Sequence, residues 1–190
     1  MGLHPDYPVT TDRLRLRPLT PRDVPALLRY RGDAEVCRYL PFEPMTPEVV
    51  TARLAGDLGR DGIDAEGEAL TLGAERVDTG ELVGDVVLFF RSAEHAGGEI
   101  GYVFDPRVAG QGFATEACRA VLDLAFDPDQ LALYRVTALM DARNTASARM
   151  ATRLGMRQEA HFVRNEIFKG ERSDLLVFAV LAEEWAASRG

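Results

Sequence analysis

The stretch from Gly98 to Phe126, GEIGYVFDPRVAGQGFATEACRAVLDLAF, constrains the fold more than any other. Glu99 to Phe104 is apolar and aromatic, which predicts a buried strand. Asp105-Pro106 ends it, because proline cannot donate to a sheet ladder. A loop with Gly110 and Gly112 follows. A helix comes next, with its apolar residues at Ala114, Ala117, Cys118, Val121, Leu122 and Ala125. That spacing puts one apolar stripe on one helix face. A strand feeding a glycine loop and a helix start forms an anion-binding place. The first helical amides lack intrahelical acceptors, the macrodipole is positive there, and glycine lets the backbone come close.

The phosphate loops with established signatures can be compared with this one. A Walker A loop needs Lys-Ser/Thr after its last glycine, where Phe113-Ala114 stands. A dinucleotide GxGxxG needs glycine at 115, where Thr115 stands. Neither fits well, although a nucleotide binder stays open at this level.

The remaining chain reads as one domain of 190 residues, with residues 1–10 as a loose arm and 11–190 as the body. Arg13 to Arg17 alternates as a half-buried strand. Thr20-Pro21-Arg22-Asp23 and Thr46-Pro47-Glu48 each start a helix, by the preference of threonine for the cap and proline for the first turn. Ala69–Val77 and Leu82–Phe90 flank the Asp78-Thr79-Gly80 turn and form a hairpin. After the central helix come a strand over Tyr134–Met140, a helix opened by Asn144 and ended by Gly155, and a hairpin of 161–168 and 175–181. This order predicts an α/β (α+β) sandwich with helices on a central sheet.

Composition excludes several classes. The formal net charge of -8 argues against nucleic acid as a partner. No run approaches the length of a membrane span, and the first ten residues have no apolar core of a signal peptide, so a cytoplasmic location without membrane contact is expected. Three histidines and two cysteines at no ligand-like spacing predict no metal site.

Arg107-x-x-Gly110-x-Gly112 resembles the R/Q-x-x-G-x-G/A loop of the GCN5-related N-acetyltransferases (GNAT). Gly110-Gln-Gly-Phe-Ala-Thr-Glu-Ala117 resembles the form found in its RimJ/RimL-like branch. The likeness extends along nearly the whole chain: Thr11-Asp-Arg-Leu-Arg-Leu-Arg-Pro18, Leu82-Val-Gly-Asp85, Ile100-Gly-Tyr102, Asn144-x-x-Ser147, Leu154-Gly155-Met156 and Glu184-Trp185 each resemble a family segment in order and spacing.

The resemblance implies a mixed, mostly antiparallel sheet, splayed into a central V between its fourth and fifth strands, with helices on both faces. It implies acetyl-CoA as acetyl donor and direct attack by a primary amine, on a protein N-terminus or a small molecule, in a ternary complex. Backbone groups of Tyr102, Val103 and Phe104 would pair with the pantetheine arm. The loop of Arg107, Ala109, Gly110, Gln111, Gly112, Phe113, Ala114 and Thr115 would hold the pyrophosphate, and Asn144 the thiol end. Glu99, beside the thioester, is the expected general base, with a surface charge as the alternative. The family's usual tyrosine acid is absent, since Ala151 stands seven residues after Asn144. Ser147 takes its place as candidate acid, or only bonds the helix start. Tyr39, Pro41 and Phe42 lie where the family shapes its acceptor pocket. A non-catalytic CoA-binding regulatory or interaction module is the alternative function. The family is often dimeric, so a homodimer stays open, with no stretch that dictates an interface.

Overall fold

The computed structural model describes residues 2–188. An eight-stranded sheet runs β1 (Val9–Thr10), β2 (Leu14–Pro18), β3 (Ala69–Arg76), β4 (Leu82–Ser92), β5 (Gly97–Phe104), β6 (Arg135–Asp141), β8 (Glu171–Leu181), β7 (Arg157–Phe168), in that spatial order. Every neighbouring pair is antiparallel except β5 and β6.

That parallel pair is the fold's decisive feature. It holds for three residue pairs only, Gly97 to Glu99 against Arg135 to Thr137, and then β5 continues without β6. The sheet therefore opens from residue 100 onward, at the strands expected to diverge (the fourth and fifth when the two-residue β1 is not counted). Gly98 keeps the closed end tight. A Cβ there would sit 2.6 Å from the Leu133 side chain.

Helices cover both faces. The stripe of α4 (Phe113–Phe126) buries Ala117, Cys118, Val121, Leu122 and Ala125 against the sheet, joined by Met150 of α5 (Thr145–Arg153), Leu154 just after it and Trp185 of α6 (Ala182–Ala187). On the opposite face α1 (Val24–Arg31) and α3 (Pro47–Leu54) bury Leu27, Tyr30, Val50 and Leu54 with Leu82 and Val103. Trp185 fastens the last helix by donating from Nε1 to the Asp123 carboxylate at 2.9 Å.

Several boundaries differ from the sequence reading. A short helix α2 (Ala34–Cys37) interrupts the first helical region, capped by the Asp33 carboxylate, which accepts from the amides of Glu35 and Val36. Pro21–Asp23 forms a 3-10 turn ahead of α1 instead of its first turn. The expected loose arm is corrected. Leu3 is buried and exchanges two backbone bonds with Ile63, the Tyr7 hydroxyl donates to the Asp61 carbonyl, and Val9–Thr10 extends the sheet. Apolar Leu3 anchors the arm. Among the described residues no helix is long and apolar enough to cross a membrane.

Candidate active site

The exposed edge of β5 follows from strand parity. Asp105 N donates to Val83 O at 2.9 Å, and the register is regular back to Gly98. Backbone groups of successive residues point to opposite neighbours, so Val103 and Gly101 belong to the β4 ladder while Ile100, Tyr102 and Phe104 face the other way; the Glu99–Thr137 pair takes the Ile100 N–H, which leaves Tyr102 and Phe104 at the opening. Val103 is thereby corrected as a backbone contact: its peptide groups are spent on β4, opposite Asp85. The Tyr102 hydroxyl spans the opening and donates to the Ser147 carbonyl at 3.3 Å. Burial of the ring pushes its hydroxyl well above the ordinary tyrosine range.

Phe104 packs its ring over Gly84 of the neighbouring strand, where a Cβ would come within 2.3 Å of ring carbon. That accounts for glycine at 84. Next to it Asp85, fully buried, takes the guanidinium of Arg31 at 2.5 and 2.9 Å and the Tyr30 hydroxyl at 2.9 Å.

The glycine loop turns on Gly110 (φ 75°) and Gly112 (φ 85°), a conformation glycine adopts without Cβ strain. The first helical bond of α4 runs from Glu116 N to Gly112 O, which leaves the amides of Phe113, Ala114 and Thr115 with no intrahelical acceptor. Two loop amides are committed elsewhere: Ala109 N donates to Pro106 O and Gln111 N to Val108 O. These residues shape the loop and do not offer their amides to an anion.

The side chain of Arg107 is also committed, to Asp105 and to Glu81 at 2.7 Å, so it props the loop's first turn. The Arg107 guanidinium holds the Asp105 carboxyl down at about 2. Gln111 Nε2 donates to Arg107 O, and Phe113 is buried under the guanidinium of Arg13, 4.6 Å above its ring.

Arg13, which the sequence marks only as part of an alternating strand, also holds the loop. Its Nε donates to Glu116 Oε2 at 2.7 Å, its amide to Glu116 Oε1 at 2.9 Å, and its Nη1 to Gln111 O at 2.9 Å. Thr11 adds a hydroxyl bond to Glu116 at 2.6 Å. The turn between β1 and β2 thus clamps the glycine loop to the helix it starts. Burial alone would raise the Glu116 carboxyl, but the bonds from Thr11 and Arg13 outweigh it and pull it down.

A cavity of about 1090 Å³ opens in front of these amides, lined by Gly110, Gly112, Ala114 and Thr115 and by the side chains of Arg119 and Arg153. Neither arginine is held in a salt bridge among the described residues. Both cations line the cavity that the α4 start opens into. No motif marks them; a place in the second turn of the helix, for Arg119, is the available signal.

On the other side of the opening lies a second cavity, of about 540 Å³. Glu99, Tyr39, Pro41, Phe42, Asn144 and Ser147 all line it, so the structure brings the catalytic and acceptor candidates together. Glu99 accepts from Arg91 Nε at 3.0 Å. Asn144 caps α5, its Oδ1 accepting from Ser147 N at 3.1 Å, which leaves its amide NH₂ to donate. Ala151 is buried in the main core, and no hydroxyl replaces the missing tyrosine at that helix position. His161 lies away from both cavities, bonded to Asp174 on the outer hairpin. Among the described residues no cluster of His, Cys, Asp and Glu is arranged to hold a metal ion.

A glycine loop at a helix start, beside a sheet that opens between parallel strands, is also what known proteins match. The family model described as Acetyltransferase (GNAT) domain matches residues 13–157. This chain belongs to the GNAT acetyltransferase family. It is 32% identical over 177 residues to the uncharacterized N-acetyltransferase YnaD of Bacillus subtilis (strain 168), covering 93% of this chain and 98% of the relative. A GNAT-family acetyltransferase structure from Bacillus anthracis superposes with a TM-score of 0.80 at 27% identity, over 96% of this chain and 99% of that one. The spermidine N-acetyltransferase of Vibrio cholerae, solved with CoA and spermine, shares the fold with a TM-score of 0.77 at 19% identity, over 93% and 99% of the two chains. The protein is therefore an acyltransferase of the GNAT family, whose members use acetyl-CoA as donor.

Proposed function

We propose that the two cavities are the donor and acceptor sites of an amine N-acetyltransferase, with the opened edge of β5 as the line between them. The observation that carries this reading is that edge: beyond the last pair with β6, Tyr102 and Phe104 turn their backbone groups to the opening, and the chain leads from them through the glycine loop to the free amides of Phe113, Ala114 and Thr115. An extended amide-bearing arm ending in a diphosphate matches that sequence of donors and acceptors. Gly110 and Gly112 leave room for it, and Arg119 and Arg153 supply charge. Acetyl-CoA, when bound, contributes the activated thioester.

The chain's own residues do the rest. Tyr102 N–H faces the opening and can hydrogen-bond a carbonyl oxygen there. Asn144 donates its NH₂ from the far wall. Glu99 takes the proton that an ammonium acceptor must lose, directly or through water, with Arg91 fixing its carboxylate. Ser147, on the same cavity wall, is the residue we assign to proton donation toward the departing sulfur. Orientation of two bound reactants supplies much of the rate.

The acceptor is a primary amine, on a protein N-terminus or a small molecule. Exposed Phe162, Val163 and Ile167 on the edge strand β7 are the surface we would examine first for a homodimer. The cytoplasm is kept as compartment because Cys37 and Cys118 are both free thiols.

Glu99→Gln tests the assignment. We expect turnover, read as released thiol, to fall by about 10²–10⁴ while acetyl-CoA affinity holds. Unchanged turnover would remove Glu99 from the reaction.

A further inference from the structure

The acceptor cavity carries a second layer of information, which rests on the reading just given. Its walls are largely apolar, from Tyr39, Pro41, Phe42, Phe89, Leu139 and Met140. It also contains five charged side chains, and each is already paired. Arg31 is bound to Asp85 beneath the floor, Arg53 to Asp57, and Arg91 to Glu99. Arg31 and Arg53 lie 5.2 and 5.9 Å from the centre of the Phe42 ring, so the aromatic covers two of the three cations. Asp57 accepts three bonds from the Arg53 guanidinium and has no charge to spare for a second ammonium. Arg53 engages both oxygens of Asp57, whereas Arg91 holds Glu99 through Oε2 alone, so Oε1 of Glu99 is left to meet one amine in surroundings suited to an apolar body.

The wall that meets this body is held from outside. Residues 38–44 join α2 to the turn before α3, and they carry Tyr39, Pro41 and Phe42. Lys169, at the tip of the β7–β8 hairpin, reaches across and donates from Nζ to the carbonyls of Cys37 at 2.8 Å and Phe42 at 2.9 Å. Glu43 sits 3.6 Å from the same ammonium. Lys169 occupies a left-handed backbone conformation, φ 48°, at a tight turn with Gly170 (φ 85°), which aims the side chain at the segment. Two main-chain carbonyls at opposite ends of a six-residue stretch, tied by one ammonium, fix the position of Phe42 over Arg31.

We propose that the acceptor is a monoamine carried on a compact apolar or aromatic body, whether a small arylalkylamine or a peptide N-terminus with an apolar first residue, and that Lys169 is the positioning residue that holds the wall selecting it. Polyamines, which need a second carboxylate for each further ammonium, are rejected by this cavity.

The experiment compares 2-phenylethylamine, a phenylalanine-leading dipeptide amide, cadaverine and spermidine as acceptors. Thiol release gives kcat and KM, and calorimetry gives binding of 2-phenylethylamine and of acetyl-CoA separately. We expect kcat/KM for at least one apolar monoamine to exceed that for both polyamines by about tenfold or more. Preference for the small amine or for the dipeptide identifies the source, and either supports the inference. Lys169→Met should raise KM and weaken binding of the apolar amine by about fivefold, with kcat nearly kept, acetyl-CoA affinity unchanged and the preference over spermidine narrowed. Lys169→Arg, which can still reach one carbonyl, should recover part of the affinity. Preference for cadaverine or spermidine, no turnover of any apolar amine by enzyme that binds acetyl-CoA, or an unchanged KM in Lys169→Met would each overturn the inference. Failure to bind acetyl-CoA at all would instead overturn the proposed function beneath it.

Discussion

Glu116→Ala tests whether the donor loop is held from outside. Glu116 accepts from the Thr11 hydroxyl, the Arg13 amide and the Arg13 guanidinium at 2.6–2.9 Å, and all three donors lose their acceptor at once. Three bonds at about 1 kcal/mol each give about 3 kcal/mol, and discounting the half-exposed Arg13 for solvent screening leaves about 2 kcal/mol. For a domain of this size that corresponds to a fall of roughly 4–8 °C in Tm. The same clamp carries Arg13 Nη1 to the Gln111 carbonyl inside the loop, so a freed loop must be ordered on binding. We expect acetyl-CoA affinity to weaken by about tenfold, or about 1.4 kcal/mol.

The pH dependence gives the sign independently. Glu116 is depressed in the folded state, so its contribution is complete above the ordinary glutamate range and is lost as pH falls through the folded value. The Tm difference between wild type and variant should narrow below about pH 4. Thermal unfolding and calorimetry across pH measure both. A Tm change under about 1 °C together with unchanged acetyl-CoA affinity would refute the clamp.

Other consequences follow from the same geometry. Asp85→Ala strands the buried Arg31 guanidinium and should cost about 3–5 kcal/mol in denaturant unfolding, while Arg31→Met/Asp85→Leu together should recover a large part of it. Gly84→Ala forces a methyl into the Phe104 ring and should cost about 1–3 kcal/mol, with a weaker grip on acetyl-CoA because Phe104 lies on the opened edge. Asp105, held at about 2 by Arg107, contributes stability that is present above the ordinary aspartate range and disappears as pH falls toward that value, so Asp105→Asn should remove part of the acid-side slope of an unfolding titration.

The glycine loop and the helix after it were legible in the sequence because their chemistry is local. Gly110, Gly112 and the stripe from Ala117 to Ala125 lie within sixteen residues and obey one helical period. The family resemblance singles out Tyr39, Pro41 and Phe42 for the acceptor, and the structure places all three on the wall of the cavity that holds Glu99. What escaped needed contacts across the fold. Arg13 meets Glu116 over a separation of 103 residues, and Lys169 meets Phe42 over 127. Both arginine and lysine look like ordinary solvated charges until the partner is in place. Val103 was misassigned for a different reason. Whether an odd or even residue of β5 faces the opening depends on its register with β4, and no pattern within the strand fixes that. Arg107 and Ala109 belong to the loop motif, but the groups expected to meet an anion are used to build the loop.

In the function we propose, the opened edge of β5 and the first turn of α4 receive acetyl-CoA. Thermal unfolding with and without acetyl-CoA, with NADH and ATP as controls, tests it most directly. At roughly one hundred times Kd the ligand should add about 2.7 kcal/mol to the folded state, and the controls should leave Tm in place. A shift with NADH or ATP but none with millimolar acetyl-CoA would contradict the account and return the glycine loop to a nucleotide site.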